Sequence, residues 1–295
     1  MQISANGITL EVEDHGPVSG EPLLLIMGLG MQLIAWPDGL VQQLVSAGFR
    51  VIRFDNRDMG LSQRFDHLGR PNVGMAAFQH LLRWPVQAPY TLADMAGDAA
   101  GVLAALGIER AHVCGASMGG MIAQHLALDH PARVKSLTLM MTSSGARGLP
   151  QPSLKVGSAM MTKPSDPKQV DSVAAYYVKL FRLIGSPGYP TPEPQLRAQI
   201  EASIRRGGFA NRGTARQLVA IGADGSSRAE RLGSIALPTC VIHGDADPLV
   251  PPAHGDDLAK RIRGATLDRV PGMGHDLPEP LWPHFVAGIQ QVSRR

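Results

Sequence analysis

Two kinds of segment take turns along this 295-residue chain, and their alternation limits the possible folds more than any other feature. Leu23-Leu24-Leu25-Ile26, Val51-Ile52-Arg53-Phe54, Ala111-His112-Val113-Cys114 and the run from Val134 to Met141 are short and mostly apolar. Runs of this kind without period-2 alternation suit strands covered on both faces. Between them lie segments with helical spacing. One runs from Leu40 to Val45 and is stopped by Gly48. Another has Thr91 as N-cap, Asp94 in its first turn and Gly107 past its end. A third, Met118 to Leu128, closes near Pro131. Ile8 to Val12 alternates apolar and polar residues, and Asn6-Gly7 predicts a hairpin from a short first strand. Strand–helix alternation of this kind produces an α/β fold, a parallel sheet with helices on both faces.

The pattern breaks between residues 143 and 234. Proline and glycine are frequent there, and the periodic stretches are helical: Val170 to Ile184, Pro194 to Ile204 and Thr214 to Ile221. The sheet pattern then resumes. Pro238 to Ile242 and Thr266 to Val270 read as strands, Ala253 to Ile262 and Pro283 to Val292 as helices. The expected organisation is a core domain of residues 1–142 and 235–295 with a helical cap, 143–234, inserted into it. A chain of this length accommodates that arrangement.

Composition removes several function classes. Hydrophobic residues make up 44% of the chain, enough for a sizeable core. Charged residues make up only 18%, the net charge is +3, and the arginines are scattered, so no nucleic-acid partner is expected. Cys114 and Cys240 sit at the end of or inside apolar runs and read as buried free thiols. Their spacing offers no zinc site, and no metal is expected. The N-terminal residues lack a basic start and an apolar run, and Leu23 to Met27 is too short to span a bilayer. The expectation is a cytoplasmic chain without membrane contact. A homo-oligomer is compatible with the sequence, which does not specify one.

The chemistry centres on Gly115-Ala116-Ser117-Met118-Gly119, between a strand and a helix. A serine flanked by glycines at such a junction can occupy a sharp, strained turn with its hydroxyl exposed at the sheet's end. The bland alternative is a small-residue turn with a capping serine. A serine nucleophile needs a base. His275, in the glycine-rich loop Gly272-Met273-Gly274-His275-Asp276 after a strand, is the candidate, and His243 is its rival. His112 and His125 fall inside a strand and a helix and suit structural roles. The base needs a carboxylate to orient it. Asp245 and Asp247 both follow the strand ending near Ile242. Asp247 is preferred because Pro248 stiffens the turn that presents it, and Asp245 then binds neighbouring amides. For an oxyanion, the N–H of Met118 at the helix start and that of Leu29 in Met27-Gly28-Leu29-Gly30 are the expected donors. A tight turn without that role is the alternative for the second.

These stretches resemble the α/β-hydrolase superfamily, in the correct order. The resemblance rests on Met27 to Gly30, on Asp55-Asn56-Arg57-Asp58-Met59-Gly60-Leu61-Ser62, on the Ser117 turn and on the paired acid and histidine loops. It covers residues 20–142 and 235–292 but not the cap. Met27-Gly28 stands where most relatives carry His-Gly, and Arg57-Asp58 where many carry Arg-Gly. Both departures, and the run Ile34-Ala35-Trp36-Pro37-Asp38, are similar to the anthracycline methylesterase branch. The resemblance implies an α/β-hydrolase fold with a mostly parallel eight-stranded sheet. It further implies ester hydrolysis without a cofactor by Ser117, Asp247 and His275, with Leu29 and Met118 as the oxyanion hole. Asp55 and Arg57 would brace loops near the site. The substrate expected is a small to medium, largely apolar ester, with Gly28, Trp36 and Met141 in contact with it and Trp36 and Trp84 near the entrance. Met140, Met141, Met160, Met161, Tyr176, Tyr177 and Phe181 form either an adaptable pocket or core. The same three residues also suit a lactonase, a carbon–carbon bond hydrolase or a perhydrolase. A ligand-binding receptor on the same scaffold is the non-enzymatic alternative.

Overall fold

The computed structural model describes residues 1–82, 84–160, 162–209 and 211–294; Met161 lies outside them. One eight-stranded sheet organises the chain, formed by β1 (Gln2–Ala5), β2 (Ile8–His15), β3 (Glu21–Ile26), β4 (Phe49–Phe54), β5 (Ala111–Ala116), β6 (Val134–Met140), β7 (Thr239–Gly244) and β8 (Thr266–Val270). The strand order is β1-β2-β4-β3-β5-β6-β7-β8. Strands β1 and β2 pair through the Asn6-Gly7 hairpin, β2 joins β4 antiparallel, and all later pairs are parallel. The sheet matches the expectation from sequence.

The apolar runs fail to alternate because both faces of the sheet are covered. Leu24 and Ile26 face one core layer with α3 (Leu92–Ala105), α4 (Met118–Asp129) and α10 (Ala253–Arg261). Leu23 and Leu25 face the other, with α1 (Asp38–Ser46) and α11 (Trp282–Ser293). Helix α3 begins with a capping box between Thr91 and Asp94 that satisfies two of its free N–H groups.

Between β6 and β7 lie α5 (Leu154–Met160), α6 (Val170–Ile184), α7 (Glu193–Gly207), α8 (Asn211–Asp224) and α9 (Ser227–Arg231). Helices α6 and α7 share a small core of their own: Ala174, Val178 and Ile200, with Tyr177 and Phe181 packed against it. These two aromatic residues are therefore core of the helical layer, and Met140 and Met141 are core beside the sheet. Ala220 of α8 and Ala229 of α9 join the main layer instead, so the last helices pack down onto the sheet.

The helices that periodicity did not announce are α2 (Val73–Leu81), α5 and α9. In α2 the large residues Met75, Phe78 and Leu81 are exposed and only Ala76 is buried, so no apolar stripe marks it.

A buried ion pair ties α8 to the core. Arg216 donates from Nε and Nη2 to both carboxylate oxygens of Asp58, at 2.8 and 2.7 Å, with both side chains fully buried. Asp58 also accepts from Tyr90 Oη and from Phe65 N–H. Burial works against the Asp58 charge, but Arg216 and these donors hold its carboxyl below the ordinary value. Asp58 has φ 72°, a conformation usually given to glycine. The departure from Arg-Gly at this position thus supplies the anion that the α8 arginine needs. Arg216→Met should cost about 3–5 kcal/mol of stability, because it strands a buried carboxylate. Urea denaturation measures the loss, and Asp58→Asn combined with Arg216→Met should recover part of it.

Candidate active site

Ser117 sits between β5 and α4 with φ 54° and ψ −122°, a backbone that side chains other than glycine rarely adopt. The sequence permits it through its small neighbours. A Cβ at Gly119 would overlap Ile26 O, and one at Gly115 would overlap the backbone of Gly119. Gly120 allows Thr142 to approach, and Thr142 Oγ1 donates to Ser117 O at 2.6 Å. Ser117 N–H donates to Met140 O at 3.0 Å, which completes the hold on the turn.

The β8–α11 loop brings His275 to this serine. His275 Nε2 lies 3.0 Å from Ser117 Oγ, and Nδ1 lies 2.7 Å from Asp247 Oδ2. A carboxylate only accepts, so Nδ1 carries the proton and Nε2 accepts from the serine hydroxyl. Asp247 is buried, and its Oδ1 accepts from Leu249 N–H at 2.9 Å and Val250 N–H at 2.8 Å. The turn after Pro248 thus fixes the carboxylate. Asp245 is exposed and accepts from Gly272 N–H at 2.7 Å, an amide of the His275 loop rather than of its own turn.

The rival His243 is buried beside Asp247, with its Nε2 donating to Val250 O at 2.8 Å. It therefore does not serve Ser117. Its Nδ1 has no hydrogen-bond partner among the described residues, and burial holds the imidazole below its ordinary value. The native state keeps His243 neutral, while the unfolded chain takes up a proton below pH about 6.5. Its contribution to stability is therefore complete above that pH and declines as pH falls towards the lower native value. Lowering the pH from 6.5 to 5.5 should therefore reduce the unfolding free energy through this group. Denaturant titrations at the two pH values should give a smaller difference for His243→Gln; an equal difference would refute the assignment. His112 bonds Ser136, and His125 bonds Asp224 and Asp129, both in structural positions.

The loop after β3 crosses over the serine. A Cβ at Gly28 would lie 3.1 Å from Ser117 Cβ and 3.6 Å from Oγ, so a side chain there would crowd the nucleophile. Gly30 N–H donates to Gln217 Oε1 at 2.9 Å, and Gln217 Nε2 donates to Arg57 O at 3.0 Å. Asn56 Nδ2 holds Met27 O at 2.8 Å. Asp55 accepts from Leu33 N–H, Leu61 N–H and Arg206 of α7, while Arg57 pairs with Asp98. Asp55 and Arg57 therefore brace the loops as the resemblance implied. Met118 is the first residue of α4, where a backbone N–H has no partner within the helix.

The outer part of the expected site needs one correction. Trp36 is 1% exposed and packs under α1 and α11 rather than at an entrance. The large apolar ring fills that layer with its bulk. Trp84 is exposed and meets Phe78 edge to face. Met141 is also buried, at φ 42°, one residue before Thr142. Sequence reading missed Arg206, Arg216 and Gln217, which reach the loops from α7 and α8. Nothing local to a helix announces a partner 150 or more residues earlier in the chain. Among the described residues no group of three or more His, Cys, Asp or Glu is placed to hold a metal ion, and no helix is long and apolar enough to cross a membrane.

Comparison with known proteins agrees with the geometry. Residues 21–279 match the alpha/beta hydrolase fold family. Rhodomycin D methylesterase DnrP of Streptomyces peucetius is 31% identical, covering 99% of this chain and 97% of its own. A 2-hydroxymuconate semialdehyde hydrolase of Pseudomonas sp. (strain CF600) is also 31% identical, over 93% of this chain and 86% of its own. Among solved structures, the enol-lactonase from Burkholderia xenovorans LB400 superposes with a TM-score of 0.75, at 25% identity and complete coverage of both chains. With a serine, a histidine and an aspartate in line at the ends of its parallel strands, this chain belongs to the α/β-hydrolase family.

Proposed function

We propose that this hydrolase cleaves carboxylic esters with Ser117 as nucleophile, His275 as general base and acid, and Asp247 as the carboxylate that orients the histidine. The observation that carries this reading is the continuous line from Asp247 Oδ2 through the imidazole to Ser117 Oγ, with links of 2.7 and 3.0 Å. His275 takes the hydroxyl proton as Oγ attacks the ester carbonyl. Leu29 and Met118 N–H groups hold the oxyanion; each such donor is worth about 2.7–4 kcal/mol in the transition state. The neighbouring amide of Gly30 is spent on Gln217, which leaves Leu29 as the donor of its loop. His275 then returns the proton to the departing alcohol, and water cleaves the acyl-enzyme by the same route in reverse.

Residues 143–234 serve as the cap, and substrate lies between cap and sheet. Gly28 lies against the nucleophile, and the apolar Leu29 beside it suits a small to medium, largely apolar ester. The methylesterase relative supports an ester rather than an amide. The chemistry takes a small molecule, uses residues of this chain alone and suits a cytoplasmic enzyme. A second reading, a lactonase on the same three residues, is favoured by the enol-lactonase likeness. A panel of p-nitrophenyl esters set against lactones of matched size separates the two. A fluorophosphonate probe should label Ser117; failure to label it would exclude both.

A further inference from the structure

The loop that carries His275 is held from two sides, and one side is the cap. After α6 the chain turns through Ile184, Gly185 and Ser186 and lies along Gly272 to Asp276. His275 N–H donates to Ile184 O at 2.7 Å. Gly274 N–H donates to Ser186 Oγ at 2.8 Å, and that hydroxyl donates onward to Asp276 Oδ1. Ser186 N–H donates to the same oxygen at 3.1 Å. Gly188 N–H donates to Gly272 O at 2.9 Å. Each residue from 274 to 276 is thus bonded to the turn between 184 and 186. The two segments touch backbone to backbone. A Cβ at Gly274 would overlap Gly185 O, and one at Gly272 would lie 3.1 Å from Gly188 Cα.

Ser186 is 3% exposed, and its hydroxyl is the one side-chain atom that joins Gly274 to Asp276 across His275. The Asp276 carboxyl is pushed above its ordinary value by burial, opposed by the Ser186 donors, so the pair depends on this contact for its polar partners. The core side of the loop is held by Met273 O, which accepts from Ala246 N–H, and by Gly272 N–H on Asp245. From the core side Asp247 holds the His275 ring, whereas the turn after α6 holds the His275 backbone and the residue after it.

We propose that Ser186 is a positioning residue for His275, so that the cap turn after α6 sets the aim of the general base. This rests on the assignment of His275 as base. Misplacing a catalytic group by about 1 Å costs on the order of 10²-fold in rate.

The test is Ser186→Ala, measured for kcat and KM on a p-nitrophenyl ester, with competent sites counted by saturating fluorophosphonate labelling. Turnover per labelled site should fall about 10- to 100-fold, with KM within about twofold of the parent value. A merely destabilised enzyme would lose labelled sites while keeping turnover per site, and that result would overturn the proposal. Asp276→Ala supplies the same test where Ser186→Ala does not fold, and it should show the same loss. Asp276→Asn keeps the acceptor oxygen and should turn over faster than Asp276→Ala. The double variant Ser186→Ala/Asp276→Ala should be no slower than either single one, as for groups acting as a unit. Additive losses would argue against the clamp. If Ser117 is labelled in the parent enzyme and Ser186→Ala retains parental turnover per site, the positioning role falls while the Ser117 assignment stands. If Ser117 is not labelled in the parent, both fall.

Discussion

Ser117→Ala should lower kcat for a p-nitrophenyl ester by a factor on the order of 10⁶, with the fold unchanged. The substitution removes one atom. The turn that strains this position, at φ 54°, is held by bonds to the Ser117 backbone from Thr142 and to Met140, and alanine keeps both. Packing around the elbow depends on Gly115, Gly119 and Gly120 and is likewise untouched. What disappears is the only group on His275 Nε2 positioned to attack a carbonyl. The amides of Leu29 and Met118 remain, so a residual acceleration over water of about 10³–10⁴ should survive, the usual remainder when a triad loses its nucleophile. Steady-state kinetics of the purified variant, with circular dichroism to verify folding, decide the matter. Parental turnover by Ser117→Ala would end the proposed mechanism.

Asp247→Asn should reduce kcat by about 10⁴, through the tautomer of a neighbouring ring rather than through any contact with substrate. Asp247 Oδ1 is engaged by two backbone amides, from Leu249 and Val250. In the variant the amide oxygen retains those bonds, and the NH₂ group therefore faces His275 Nδ1. A donor there forces the ring proton onto Nε2, the nitrogen that must accept from Ser117. The base is then in place and in the wrong form. Asp245→Asn is the control. Asp245 is exposed, its contact is a single backbone amide, and an asparagine oxygen can replace it. Its effect on turnover should be about twofold or less, as for surface substitutions away from buried networks. Comparable losses in the two variants would remove the distinction between these carboxylates.

The parts of the molecule that were legible in the sequence are those whose signal is local. Helix α6 spans Val170–Ile184, as its periodicity predicts, because its apolar stripe packs on α7 and the burial is written at helical spacing. The core strands were legible for a related reason: sheet residues buried on both faces must be apolar without interruption. Ser117, Asp247 and His275 were readable as candidates because each lies just beyond a strand, in a turn whose glycines or proline mark an unusual backbone. Helix α2 was not legible, since its large side chains point outward and only Ala76 is buried. Trp36 misled for the opposite reason. Its position shortly after the Met27–Gly30 loop suggests access to substrate, while the fold turns the indole inward beneath α1 and α11.

By itself the sequence determined the α/β class, the sheet and helix segments with strong periodicity, and the three residue types capable of serine chemistry. Tertiary structure alone decided which histidine meets the serine and which carboxylate meets the histidine. It also decided that the segment between β6 and β7 reaches both loops, through Gln217 on Gly30 and Ser186 on the His275 loop. The physical reason is range. Periodicity and turn chemistry act over a few residues, whereas a hydrogen bond joins groups about 3 Å apart irrespective of the length of chain between them. His275 and Ser117 are 158 positions apart, and only the packing of the sheet brings them to 3.0 Å.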